Sequence, residues 1–386
     1  MFSLLTSVLL AASLTWVGPQ RVSTPDSRPA LATDPQVAVA ADGAALVAYA
    51  VDGDTWIAAA PAGGKFGAPR KLLPGQDSPT VAVQPDGTAL VTGGTGTAGR
   101  GVYAVGAVDG TFGEAKPLPE PGLVTAVVAV PGRFLAAIET ETGHRLEFDT
   151  HGALLSSSNG GLGGEAGPDG TLAFAFHGPG TAGVTVRRPD GRWTTHRFKA
   201  PELDDPQAAV APDGRIGFVA VRPRLTGEAA LYGSVVVTEL GPRGFGTLRT
   251  APVEPAKHPT AFAADIAYDA QGRRVVAWIE DPSTNPGAEG EVARGRVWAL
   301  VGGRRVLLDG GAAHVTLVPI PQGVLAVSDG GAWRTVLING TAVTRLNGPS
   351  GRPYDGAALA TSADRTVFVW RDRRDGGVRA AFTQTG

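Results

Sequence analysis

Four side chains in this 386-residue chain have the right types for acid–base work on a polar ligand: Asp205, His258, Glu280 and Arg371. A carboxyl withdrawn from water gains a raised pKa and exchanges protons near neutrality; an imidazole relays a proton; a guanidinium neutralises developing charge. No local motif joins the four, so only the fold can bring them together. No sharper constellation competes with them. The chain has no Gly-x-Ser-x-Gly elbow, no phosphate-binding Gly-Lys-Ser/Thr loop and no His-Glu-x-x-His pair. Its six histidines, at positions 144, 151, 177, 196, 258 and 314, are scattered. With no cysteine, disulfides, thiolate catalysis and Cys-ligated zinc are excluded. Asp52-Gly53-Asp54 comes nearest to a calcium loop, but it lacks the closely spaced oxygen donors that calcium needs. The expectation is no metal, no cofactor and a binding protein, with enzyme activity left open.

The elements that must position these residues are announced by a repeat. Pro35-Gln36-Val37-Ala38-Val39-Ala40-Ala41-Asp42-Gly43 returns as Pro79-Thr80-Val81-Ala82-Val83-Gln84-Pro85-Asp86-Gly87. Turns recur at Gly43, Gly87, Gly132, Gly170, Gly214, Gly272 and Gly323, with gaps of 44, 45, 38, 44, 58 and 51 residues, and an eighth falls at Ala363-Asp364. Each sits between short apolar runs. Pro-Asp-Gly in that setting is a hairpin signal, because proline presets φ and glycine accepts φ > 0. Two further β-rich runs follow each hairpin. Units that cannot bury their apolar faces alone must stack on one another. Four short antiparallel strands per unit describe a propeller blade. The expected fold is therefore all-β: an eight-bladed β-propeller (seven-bladed as the alternative) with four-stranded antiparallel blades.

The rhythm Pro-x-Val-Ala-Val-x-x-Asp-Gly, then a strand, then Gly-x-Phe-Gly as in Gly64-Lys65-Phe66-Gly67, resembles secreted bacterial β-propeller repeat proteins, grouped loosely with sialidase-type and WD-repeat-like propellers. The resemblance covers about residues 34–386 and implies architecture, since such folds host many activities. The sialidase chemistry itself is missing. Pro189-Asp190-Gly191-Arg192-Trp193 is the nearest match to that family's Ser-x-Asp-x-Gly-x-x-Trp turn, and no Arg-Ile-Pro occurs. By analogy with propellers, ligands meet the face that carries the second-to-third-strand loops and the connections between blades. Asp205, His258, Glu280 and Arg371 are expected there. The longest gaps enlarge loops around 222–230, 252–259 and 281–292, which are expected to wall one sector of a central pocket.

Recurrent aromatics have a packing assignment. Tyr49, Phe176 and Trp278 each follow their turn glycine by six residues, and Trp370 is equivalent. They are expected between blades. Phe66, Phe112, Trp193 and Phe245 are expected to plug the outer part of each blade.

The N-terminus carries an apolar run at residues 2–17, short for a membrane-spanning helix and suited to a signal-peptide core. Residues 1–18 are expected to be a signal peptide or apolar segment, with cleavage before Pro19. A single propeller domain follows over 19–386, its ring closed by a strand at Pro19-Gln20-Arg21-Val22. A net charge of −2 gives no electrostatic footprint for nucleic acid. The sequence thus leads to a secreted or cell-envelope monomer, without stable membrane insertion once the signal is removed. Its binding site is expected at the central pocket, for a protein or carbohydrate ligand. The alternatives are a carbohydrate-active hydrolase or lyase, and a structural extracellular scaffold.

Overall fold

Aspartate and glycine set the hairpins. At Asp42, Asp86, Asp169 and Asp213 the carboxylate accepts the backbone N–H two residues on, at 2.8 to 3.2 Å. The glycine that follows takes φ between 77° and 86° (Gly43, Gly87, Gly170, Gly214), where a side chain is strained. The computed structural model describes residues 14–24, 35–95, 99–118, 121–130, 132–139, 145–148, 153–156, 163–178, 180–200, 203–223, 233–241, 244–251, 261–280, 295–329, 332–351 and 353–385. Among them there are strands, turns and bends but no helix.

The hairpins build antiparallel sheets in a propeller arrangement. Five are blades of four consecutive strands, spanning 36–73, 80–117, 123–156, 163–199 and 315–346. The other strands combine differently. The nine strands between Asp204 and Ala312 form one sheet, in which Gly233–Gly241 and Ala261–Tyr268 are joined through the pair Gly233↔Ala261. Leu14–Arg21 completes a four-stranded sheet with Val378–Thr385, Thr366–Asp372 and Pro353–Thr361. The expectation of eight blades, and its seven-bladed alternative, is corrected: the described residues build five such blades. Turn motifs count hairpins, whereas a blade also needs four strands of its own and a free outer edge. The turn residues do not encode that edge. The ring of eight sealed by the leading strand falls with the blade count. That strand begins at Leu14, so it crosses the expected cleavage point before Pro19.

Burial follows position within a sheet. The second strand is enclosed on both faces, as in Ala45–Val51 and Thr366–Asp372, where every residue is buried. Continuous apolar runs, not alternation, are what such a place requires. The outermost strands, such as Ala342–Leu346, are largely exposed. Tyr49, Phe176, Trp278 and Trp370 are all buried. Trp370 packs in one cluster with Leu325 and Trp333 of the blade before it. The outer aromatics divide. Phe66 is buried, while Phe112, Trp193 and Phe245 are only half-buried. Phe112 instead lies under the Arg70 guanidinium, 5.9 Å from the ring centroid.

What positions the site is a run of five innermost strands. Gly163–Ala166, Asp204–Val210, Ala261–Tyr268, Val315–Ile320 and Pro353–Thr361 lie beside one another in that order. Three of them carry register shifts near their starts, between Asp204 and Gln207, Ala261 and Ala263, and Pro353 and Ala357. Such bulges turn side chains out of the regular ladder.

Candidate functional site

At those bulges the innermost strands enclose a cavity of about 340 Å³. Asp205, Gln207, Asp265, His314, Trp333 and Phe368 are among the residues that line it. Asp205 adopts φ 46°, a left-handed conformation that aspartate tolerates better than most residues. The bulge and this turn of backbone together aim its carboxyl, which accepts the Gln207 amide N–H at 2.9 Å.

The acids of neighbouring innermost strands are coupled. Asp265 accepts two backbone N–H groups, Ile266 at its Oδ1 and Leu317 at its Oδ2, each at 2.7 Å. Burial nevertheless raises its pKa to about 6, against the pull of those N–H groups and with help from the Asp205 charge. Asp205 keeps much of its surface open, yet crowding around its carboxyl raises the pKa, with the charge of Asp204 adding to the rise, against hydrogen bonds from Gln207 and the Ala264 N–H and the charge of His177. Glu165, one strand further round, keeps part of its surface open while crowding around its carboxyl pushes the pKa up to about 8. Asp265 adds to that rise and the Val210 N–H opposes it. Three carboxyls on three adjacent strands are thus coupled in sequence, Glu165 to Asp265 and Asp265 to Asp205, and each has its pKa raised.

His314 brings a second arrangement to the same cavity. Its Nδ1 is 3.0 Å from Asp329 Oδ2, and Asp329 Oδ1 accepts the backbone N–H groups of Ala313 at 2.8 Å and His314 at 2.7 Å. Burial opposes ionisation of Asp329, but the bonds and charge from His314 and the Ala313 N–H outweigh it, and its pKa is lowered. An ionised carboxylate fixes the proton on Nδ1 and turns Nε2 to the opposite edge of the ring. The imidazole is half exposed, at 56%. Among the described residues no group of three or more His, Asp or Glu is placed to hold a metal ion.

Of the four residues singled out by type, Asp205 stands on the cavity. Glu280 is buried within its own sheet, accepting Trp278 Nε1 at 2.6 Å and Arg305 Nη2 at 2.5 Å. Arg371 is buried on Thr366–Asp372. Neither lines the cavity. His258 lies outside the described residues, as do most of the enlarged loops at 224–230, 252–259 and 281–292. Asp54, in the calcium-like turn, is taken up by Lys71 and the Gly75 N–H.

The type search missed Glu165, Asp265, Gln207, His314 and Asp329. A signal for two of them exists in the repeat. Gln207, Asp265 and Thr316 each stand seven residues before a turn glycine, as do Gln36, Thr80 and Thr125. A polar residue at one fixed place in otherwise apolar inner strands marks a common inward-facing position.

No protein-family model matches the chain, and no curated protein matches it in sequence. Solved structures match it in fold. The hydrazine synthase of Kuenenia stuttgartiensis superposes with a TM-score of 0.50 at 12% identity, over 92% of this chain and 96% of that one. A polysaccharide lyase acting on ulvan gives 0.49 at 12% identity, over 94% and 95%. Virginiamycin B lyase from Staphylococcus aureus gives 0.48 at 9% identity, over 96% and 99%. At such identities the likeness shows a β-propeller fold and no more. No family model places the chain with sialidase-type or WD-repeat propellers.

Proposed function

We propose that this protein is a β-propeller binding module whose ligand seat is the cavity at Asp205, Asp265 and His314. The observation that carries the reading is the cavity itself. Its volume falls within the range of small-molecule sites, about 300 to 1,000 Å³, and polar groups from several strands line it. The commitments of the carboxylates support binding over turnover. Both Asp265 oxygens already accept backbone N–H groups, and Asp205 already accepts Gln207. Secretion belongs to this reading too, resting on the apolar run at residues 2–17.

The test is a melting-midpoint screen of soluble glycans and small amines against the native chain and Ala357→Phe, a substitution that fills the cavity from its wall. A compound that stabilises the native chain and not the filled variant supports the seat. Equal stabilisation of both moves the ligand elsewhere.

A second reading has its own observation. The Asp329–His314 pair has the form of an oriented acid–base dyad, and Asp205 and Asp265, both with raised pKa values, line the same cavity. That arrangement suits proton abstraction from, or hydrolysis of, a carbohydrate. Turnover of chromogenic glycosides or uronate polymers that disappears in His314→Asn would favour this enzyme over a binding module.

A further inference from the structure

We propose that a second cavity, at the turn end of the strands between Asp204 and Glu280, binds an oxyanion group, phosphate or sulfate, between the guanidinium groups of Arg249 and Arg274. The cavity measures about 440 Å³, and Arg215, Glu239, Thr247, Arg249 and Arg274 are among the residues that line it. It is separate from the cavity at Asp205. That one opens at the bulges where the innermost strands start, whereas Val210↔Ile216 and Tyr268↔Arg274 pair at the opposite end, beside the hairpin turns.

The repeat itself sets this sector apart. Two residues after the turn glycine, the other repeats place a buried apolar side chain: Ala45, Ala89, Phe134, Leu172, Ile216 and Leu325. Here that place is taken by Arg274, partly exposed on the cavity. Four residues before the glycine, the others carry Val39, Val83, Val128, Ala166, Val210 and Pro319. Here it is Tyr268, whose hydroxyl donates to Glu239 Oε1 at 2.6 Å. Gly217 follows its turn glycine by three residues, where other repeats have Leu46, Leu90, Ala173 and Val275. A Cβ at 217 would lie 2.8 Å from the Tyr268 hydroxyl oxygen, so the glycine makes room for it. The hairpin is unchanged by these exchanges: the Gly272 N–H donates to the Asp269 carbonyl as that of Gly43 does to Ala40 and that of Gly214 to Ala211. Three departures from the repeat therefore meet at one cavity without serving the turn. A locally broken rule is expected where function displaces packing.

Charge decides what fits. Arg215 is committed: its Nε donates to Asp213 at 2.7 Å, its Nη1 to Glu239 Oε1 at 2.9 Å and its Nη2 to the Gly272 carbonyl at 2.8 Å. Glu239 thus meets two donors at Oε1, while its Oε2 is 4.0 Å from Arg274 Nη1, too far for a hydrogen bond. The Arg249 guanidinium is exposed and has no carboxylate partner among the described residues. Asp213 and Glu239 set two carboxylates against three guanidinium groups, and the excess charge sits on the two whose donors are open. A tetrahedral oxyanion can accept from two guanidinium forks at once. Thr247 brings a hydroxyl to the same cavity. Glu239 repels an anion from its own side and so directs it toward Arg249.

The test is titration calorimetry of the full chain at pH 7 with sodium phosphate, glucose 6-phosphate, glucose 6-sulfate and glucose, at one ionic strength set by sodium chloride. The charged probes are expected to bind and glucose is not. Tighter binding of the sugar esters than of inorganic phosphate identifies an ester as the source of the oxyanion; the reverse identifies the free ion. Arg274→Leu gives this repeat the side chain that Leu172 and Leu325 supply in theirs, so it keeps the fold. It is expected to weaken the anions by about tenfold or more, as loss of a charge-assisted bond implies. Arg249→Ala, at an exposed position, is expected to do the same. Circular dichroism of both variants reports whether they are folded. Ala357→Phe, which fills the other cavity, is expected to leave anion binding unchanged. No binding of any charged probe, or binding unchanged in both arginine variants, overturns the proposal. Loss of binding in Ala357→Phe overturns it as well, by moving the anion to the other cavity.

Discussion

Asp265 on one innermost strand accepts the backbone N–H of Leu317 on the next, at 2.7 Å. Its carboxylate therefore bonds two sheets edge to edge at the lip of the cavity. Removing it strands two N–H groups, those of Leu317 and Ile266, in a buried place. Asp265→Ala is expected to cost about 2–4 kcal/mol in urea unfolding. Asp265→Asn keeps an acceptor and should cost less than half of that. A loss below about 0.5 kcal/mol for the alanine variant would show that the bond does not hold these strands together.

The all-β propeller with four-stranded antiparallel blades was legible in the sequence, but the number of blades was not. Asp86-Gly87 and Asp213-Gly214 name their hairpins because aspartate and glycine do the local work there. Whether Gly233–Gly241 pairs with Ala261–Tyr268 depends on an edge contact between distant segments, and no turn residue encodes it. The site was less legible for the same reason. Asp205 was visible as an acid in a connection, but Asp265 lay hidden inside an apolar strand. Glu280 had the right type, yet Trp278 and Arg305 claim it locally.

The Glu165 carboxyl gives stability a pH dependence of defined sign. Its pKa rises on folding from 4.5 to about 8, so the folded state holds a proton that the unfolded state has released. That contribution is complete below about 4.5 and is lost as pH rises through about 8. Denaturation midpoints are expected to fall between pH 5 and pH 9, and Glu165→Gln to flatten most of that fall. A midpoint that rises over the same interval contradicts the sign.

Arg365 joins the sheet containing Thr366–Asp372 to the blade at 36–73. Its Nη1 donates to the carbonyls of Gly43 at 2.9 Å and Pro61 at 3.0 Å, and its Nη2 to that of Gly64 at 2.6 Å. The guanidinium also lies 4.5 Å from the centroid of the Phe382 ring. Arg365→Ala is expected to cost about 3 kcal/mol or more, because three carbonyls lose a charged donor. Arg365→Lys should recover only part of it, since an ammonium lacks the planar fork. Equal stability of the lysine variant and the native chain in urea would count against the fork.

Phe66 and Phe112 occupy equivalent places in their repeats and differ in burial. Phe66 is also held by Gln20, whose side-chain amide donates to the Phe66 carbonyl at 2.6 Å and accepts its N–H at 2.9 Å. Phe66→Ala should destabilise by about 3 kcal/mol or more, and Phe112→Ala by roughly half as much. Thermal melts of the two variants side by side decide it; a larger loss at Phe112 reverses the burial assignment.

The most direct measurement is a carbon-13 NMR titration of the side-chain carboxyls in the native protein and in Asp205→Asn. Coupling of these acids along adjacent innermost strands predicts titration of Glu165 near pH 8 and Asp265 near pH 6, with the Asp265 value falling once the Asp205 charge is gone. Titration of both at the usual carboxylate values of about 4, unmoved by Asp205→Asn, would show that these acids do not share a site.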